Sequence, residues 1–192
     1  MKAVILAAGK GIRIQSISGG TPKSLIPFQD KTILGFTLEK IKNSGIKSII
    51  VVTGYNSNLV MNYVKDNWDF DYEFVHNKNY AVTNVLYSFY LSIPLIKNDD
   101  FLFLHADTIF SQKIINDLLK TLEGNKIVFP VDFKKCGEEE MKVKVKNDLV
   151  VELSKQIKLD ESDGEFLGLA VIKNELVQNI KMAAEQLFSN ND

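Results

Sequence analysis

The chain has 192 residues, 45% of them hydrophobic and 24% charged, the balance of a soluble globular protein long enough to bury a sizeable core. A net charge of −1 argues against nucleic acid or an anionic membrane surface as the main partner. The single cysteine, Cys136, cannot close a disulfide within the chain, which fits a reducing cytoplasm. The opening Met-Lys and the apolar residues 3–8 superficially suggest a signal peptide. Lys10 and Arg13 follow at once, however, and the run is too short. No other apolar stretch approaches the ~20 residues of a membrane span. The expectation is one cytoplasmic domain over residues 1–192, with no membrane or nucleic-acid partner and a homodimer left open.

Residues 2–6 are a short, β-branched, apolar run that predicts a buried strand. The run empties into Ala7, Ala8, Gly9, Lys10 and Gly11, a turn bare enough for a ligand to lie on the backbone. Exposed N–H groups in such a turn form an anion-binding nest, and Arg13 and Lys23 add two positive charges near it. A strand, a bare turn and two cations make a place for a polyphosphate. The spacing excludes a P-loop, because Lys10 is followed by Gly11. It also excludes the dinucleotide fingerprint, because Ile14 stands where the third glycine belongs. Residues 14–24 read as a loop over the nest, and residues 25–28 as a short second strand. Asp30 or Thr32 starts a helix over Ile33–Asn43, with Leu34, Leu38 and Ile41 on one face and Gly45 as its stop. Residues 48–52 form a continuous apolar strand, covered on both faces. Ser57 caps a helix to about Asp66, and residues 72–75 are the next strand.

Thr83 caps a helix that carries Val85, Leu86, Phe89 and Leu91 and ends near Pro94. Phe101–His105 is the most apolar strand and runs out at Ala106 and Asp107. Ser111 opens a helix through Leu122, and residues 126–131 form one more strand. Strand and helix alternate through short turns, which predicts an α/β sheet that is largely parallel. After Cys136 the pattern changes. Lys142, Val143, Lys144, Val145 and Lys146 alternate as a strand with its lysines in water, and Asn147 and Asp148 turn it back into residues 149–153. This predicts an antiparallel hairpin appended to the parallel sheet. Residues 165–172 are the last strand and residues 173–187 the last helix. Asp107 is a lone acid at the C-terminal end of an apolar strand, where open α/β sheets bind ligands. There it is either a Mg²⁺ ligand beside phosphates or a cap for residues 108–111. His105 reads as a core histidine.

The order L-A-A-G-x-G-x-R, followed by Pro22-Lys23 and a short apolar run, resembles the nucleotidyltransferases that make nucleotide-diphosphate sugars and alcohols. Many members have Ser or Thr where Ile12 stands, so one hydroxyl contact to phosphate is in doubt here. The pattern N-Y-x-x-x-N-x-x-Y-S-x-Y-L over residues 79–91 is similar to the branch that transfers CMP to phosphocholine, 2-aminoethylphosphonate or inositol phosphate. The resemblance covers residues 1 to about 172. It implies a Rossmann-like sandwich with a mostly parallel mixed sheet and Mg²⁺ as cofactor, with CTP and a small phosphorylated or phosphonylated alcohol as substrates. It also implies roles for residues. Leu6, Ala7, Ala8, Gly9, Lys10 and Gly11 meet the nucleotide, Asn84 and Ser88 its base, and Asp107 the metal. Arg13 holds the β- and γ-phosphates, and Lys23 the α-phosphate and acceptor. Leu153-Ser154-Lys155 and the segment 164–168 place the acceptor near Lys155 and Glu165. The family's usual second acidic metal ligand has no obvious counterpart, which leaves Asp163 or Glu165 for that place. The competing readings are a UTP- or dTTP-dependent sugar-1-phosphate transferase, a molybdopterin-type nucleotide transferase and a non-catalytic nucleotide-binding module.

Overall fold

Alternation along the apolar strands sends successive side chains to opposite faces of one sheet, and helices cover both faces. The computed structural model describes residues 1–11 and 19–189. The elements in chain order are β1 (Lys2–Ala7), β2 (Pro27–Phe28), β3 (Lys31–Thr32), α1 (Ile33–Asn43), β4 (Ser48–Thr53), α2 (Ser57–Asn67) and β5 (Asp71–His76). Then come α3 (Val85–Ile96), β6 (Phe101–His105), α4 (Gln112–Thr121), β7 (Ile127–Val128) and β8 (Val131–Asp132). The last are β9 (Lys142–Lys146), β10 (Leu149–Ser154), β11 (Gly164–Phe166), β12 (Leu169–Ile172) and α5 (Val177–Ser189).

The main sheet has the order β5-β4-β1-β6-β12-β7. β5, β4, β1 and β6 run parallel, and β12 lies antiparallel to β6. On one face Ala3, Ile5, Ile49, Val51, Leu102 and Leu104 meet Leu34, Leu38 and Ile41 of α1, Val60 and Val64 of α2, and Ile115 and Leu118 of α4. On the other, Val4, Ile50, Phe101 and Ala170 meet Phe89, Ile93 and Ile96 of α3 and Val177 of α5. Both faces are therefore dry, as the unbroken apolar runs of β1, β4 and β6 predict. The chain leaves β1 for β4 on one side and later reaches β6 on the other. That reversal opens a crevice at the C-terminal ends of β1 and β6. Among the described residues no helix is long and apolar enough to cross a membrane.

Several local expectations change. Residues 23–25 form a 3₁₀ turn, and the strand beyond it is half of the β2–β3 hairpin. The cap of α1 is Thr32, one of the two starts expected, and its side chain accepts from the Gly35 N–H at 2.9 Å. Ser57 lies inside α2. The cap position belongs to Asn56, at φ 45°, whose Nδ2 donates instead to the Gly20 carbonyl at 2.7 Å. Asn84, one residue after Thr83, caps α3, and that helix runs past Pro94 to Ile96.

The strand expected over residues 126–131 divides between two sheets, because Phe129 and Pro130 separate β7 from β8 and Pro130 has no N–H for a ladder. Residues 165–172 divide in the same way at Gly168, whose φ of 76° turns the chain from β11 into β12. The hairpin is present, and Asn147 and Asp148 make its turn at φ 53° and 61°. It belongs, however, to a separate antiparallel sheet, β10-β9-β11-β8. Lys142 corrects the expectation of a wet lysine face: it is 1% exposed. Its ammonium donates to the carbonyls of Gly137, Glu138 and Glu140 at 3.3, 3.1 and 3.4 Å. Those three carbonyls supply the partners that a buried ammonium requires.

Candidate active site

The crevice holds a cavity of about 210 Å³. Leu6, Ala7, Ala8, Gly9 and Gly11 form its floor and Lys23 and Asp107 one wall, while Asn84 and Ser88 stand on another. Nine residues expected to meet the ligands from sequence therefore line one space. β1 delivers the floor because its parallel neighbours hold it in register, and the chain beyond stays anchored. The Ala106 N–H donates to the Leu6 carbonyl at 3.0 Å, and the Tyr55 N–H to the Ala8 carbonyl at 3.1 Å. Gly11 takes φ 63°, a conformation that glycine adopts without strain.

Lys23 opens the 3₁₀ turn after Pro22, and its Nζ lies 2.7 Å from Asp107 Oδ2. Asp107 follows β6 directly through Ala106. One cation and one carboxylate thus face each other at the cavity wall, each a little more than a third exposed. On the facing wall Asn84 spends its Oδ1 on the Tyr87 N–H at 3.1 Å, which caps α3. The group it has left to offer is its Nδ2. Ser88, one turn further along α3, accepts from Asn77 Nδ2 at 2.9 Å.

Three expected residues stand elsewhere, and a fourth is not described. Arg13 lies outside the described residues. Lys10 places its ammonium 5.8 Å from the centre of the Tyr55 ring rather than on the cavity wall. Lys155 pairs with Glu139 at 3.5 Å and Glu165 with Lys134 at 2.8 Å, so the structure does not bring either to the cavity.

The cavity also contains residues to which the sequence alone gives no ligand role: Tyr80, Thr83, His105 and Ser24. Tyr80 stands inside the residue 79–91 pattern, where its spacing was the available signal. The sequence predicts a core place for His105, which is instead half-buried at the end of β6 and lines the cavity. Burial pushes its pKa below the ordinary histidine value. Asp107 opposes that shift and Lys23 adds to it. The ring is therefore neutral at pH 7, one uncharged group beside the ion pair.

Gly54, just after β4, has no room for a side chain. A Cβ there would stand 2.6 Å from the Ala8 carbonyl oxygen and 2.7 Å from Tyr80 Cβ. Gly54→Ala must displace the floor or the Tyr80 wall. We expect it to lower kcat/KM by on the order of 10–10²-fold, the scale of a small misplacement at a reacting site. Steady-state kinetics and a thermal melt check this, and an unchanged kcat/KM would show that the floor tolerates the shift.

The chain is similar to several known proteins. A family model described as a MobA-like NTP transferase domain matches residues 3–180. A CTP:phosphoglutamine cytidylyltransferase of Campylobacter jejuni is 27% identical over 183 residues, 88% of this chain and 72% of its own length. A choline-phosphate cytidylyltransferase of Streptococcus pneumoniae is 34% identical over 122 residues, 63% of this chain and 51% of its own. The chain thus matches only about half of that second relative. A solved UDP-glucose pyrophosphorylase of Acinetobacter baumannii superposes with a TM-score of 0.79 at 14% identity. The superposition covers 100% of this chain and 83% of that one, a likeness of fold.

Proposed function

This chain belongs to the family of MobA-like NTP transferase domains, and on that premise we propose that it transfers CMP from CTP to a small phosphorylated or phosphonylated alcohol. One observation carries the reading: Lys23 and Asp107 meet at 2.7 Å on one wall of a cavity whose other wall presents Asn84 and Ser88. A charged wall suits phosphates, and a neutral hydrogen-bonding wall suits a base. The relatives named for cytidylyl transfer, in Campylobacter and Streptococcus, favour CTP over the nucleotides of the sugar branch.

In this reading an oxygen of the acceptor's phosphate or phosphonate attacks the α-phosphorus of CTP. The bond from that phosphorus to the α–β bridging oxygen breaks, and pyrophosphate leaves with the electron pair. No protein nucleophile is needed, because positioning and charge neutralisation carry such transfers. The floor from Leu6 to Gly11 receives the nucleotide along its backbone. Lys23 draws the α-phosphate and the incoming acceptor together, and Arg13 holds the β- and γ-phosphates. Neutral His105 lines the cavity without adding a charge.

Asp107 fits a divalent cation of the Mg²⁺ type. Among the described residues no group of three His, Cys, Asp or Glu gathers anywhere, so one carboxylate is what the cavity offers. Mg²⁺ is commonly held in this manner, by one or two carboxylates together with substrate phosphates. When bound it would supply neutralisation of phosphate charge beside Asp107. The lone Cys136 fits a cytoplasmic setting for the reaction.

The test is pyrophosphate release across CTP, UTP, dTTP and GTP, each paired with phosphocholine, 2-aminoethylphosphonate, inositol phosphate and glucose 1-phosphate. Turnover is expected with CTP and one or more of the alcohol phosphates or phosphonates. Turnover of glucose 1-phosphate with UTP or dTTP, and none of the others with CTP, would assign the chain to the sugar branch.

A further inference from the structure

We infer that Asn77 is a positioning residue that makes Ser88 a hydrogen-bond donor toward the base and thereby selects cytosine over uracil; this rests on the functional reading above. Asn77 follows β5 and is fully buried, with 0% exposure. Its N–H and both polar atoms of its side chain are engaged. Its N–H donates to the Thr53 carbonyl at 2.8 Å, which fixes it to the end of β4. Its Oδ1 accepts from the Asn79 N–H at 2.9 Å. That bond sets which way round the amide lies, since an N–H requires the oxygen. Nδ2 is left to donate twice, to Thr83 Oγ1 at 3.0 Å and to Ser88 Oγ at 2.9 Å.

The consequences differ for the two hydroxyls. Thr83 passes its proton to the Asn79 carbonyl at 2.9 Å, so its needs are met within the turn. Ser88 accepts from Asn77, and among the described residues no protein acceptor takes its proton. Ser88 is only 6% exposed, and its one open side is the cavity. Turning the proton away from the cavity would leave it buried without a partner, which costs the full desolvation penalty of that group. The hydroxyl is therefore held as a donor into the cavity. Asn84 reinforces this from one turn earlier, because its Oδ1 is taken by the α3 cap and its Nδ2 remains.

Two donors on one wall ask for a ligand edge rich in acceptors. The Watson–Crick edge of cytosine has O2 and unprotonated N3 adjacent to each other. Uracil carries a proton on N3, which would face the donor. A site built to hydrogen-bond one such edge rejects the analogue that leaves its buried groups unpaired.

Asn77→Asp inverts the arrangement with almost no change of shape. The ionised carboxylate keeps the Asn79 N–H but can only accept on its other oxygen, so the Ser88 proton turns back to it. A lone pair then faces the cavity, where the N3–H of uracil can use it. The experiment measures kcat/KM for CTP and for UTP with one acceptor, across pH, for wild type, Asn77→Asp, Ser88→Ala and the double variant. Asn77→Asp is expected to lower the CTP:UTP ratio at least tenfold, with the ratio becoming pH-dependent as the new carboxyl titrates. Ser88→Ala is expected to lower the ratio as well, and Asn77→Asp to change it no further in that background.

A ratio within twofold of wild type in a folded Asn77→Asp or Ser88→Ala variant overturns the inference. So does an Asn77→Asp effect that persists without the Ser88 hydroxyl. If the buried carboxylate prevents folding, Ser88→Ala decides alone: a lowered CTP:UTP ratio supports the inference and a ratio within twofold of wild type overturns it. A wild-type protein that does not prefer CTP over UTP removes the functional reading and this inference together. Wild-type preference for CTP with an unmoved ratio in the variants overturns only the inference.

Discussion

Asp107→Asn is expected to lower kcat by about 10³-fold while the melting temperature stays within a few degrees of wild type. The two halves of that expectation have separate causes. Asp107 pairs with Lys23 at 2.7 Å, but the two side chains are 37% and 41% exposed. An ion pair so open to water contributes roughly 0–1 kcal/mol to stability, because solvent and salt screen it. Asparagine has nearly the same shape and can still accept from the Lys23 ammonium. A loss of 10³ in rate corresponds to ~4 kcal/mol, far beyond what a screened surface pair supplies. In this reading the excess comes from the divalent cation that the carboxylate would hold beside the bound phosphates. Steady-state kinetics in Mg²⁺ together with a calorimetric melt separate the contributions. Near-normal turnover with an unchanged melt removes Asp107 from the mechanism, whereas a large fall in melting temperature returns it to the role of a turn cap.

Lys23→Ala is the second large effect, expected at about 10²-fold in kcat, or ~2.7 kcal/mol. Lys23 lies in the 3₁₀ turn after Pro22, outside both apolar clusters, so its removal opens no cavity in the core. What it takes away is the one cation on the wall of the cavity among the described residues. Its loss also leaves Asp107 without a counter-charge, so the empty cavity becomes repulsive to phosphates. The KM for nucleotide is therefore expected to rise as well, and more steeply at low ionic strength, where charge is less screened. A variant that keeps more than half of wild-type kcat/KM would contradict the assignment of phosphate binding to this wall.

The fold was legible where burial is uniform. Residues 48–52 and Phe101–His105 are unbroken apolar runs because helices cover both faces of the sheet, and a run of that kind has few other readings. The breaks between the two sheets were not legible. Residues 165–172 read as one strand, since the change of sheet rests on the single left-handed Gly168. Lys142 misled for a related reason. Its alternation with valine is that of a wet strand face, and the carbonyls of Gly137, Glu138 and Glu140 fold over its ammonium only in three dimensions.

The site divides in the same way. The floor and Asp107 follow from local patterns that end strands, and Lys23 from the Pro22-Lys23 pair ahead of a short apolar run; those patterns survive in the sequence. Asn77 carried no such signal. It is an asparagine in a turn, and its meaning depends on Thr53, Asn79, Thr83 and Ser88, spread over 36 positions. Lys155 and Glu165 stand near residues that resemble an acceptor site, yet their charges are met by Glu139 and Lys134.

The most direct test of the account follows the α-phosphorus itself. Wild-type protein is incubated in Mg²⁺ with CTP labelled at the α-phosphate and, separately, at the γ-phosphate, together with each alcohol phosphate or phosphonate. The α label is expected in a new diphosphate- or phosphonate-linked cytidine product and the γ label in pyrophosphate, at equal rates. Nucleotide binding with no transfer of the α label to any acceptor, or transfer only from UTP or dTTP to a sugar phosphate, would contradict it.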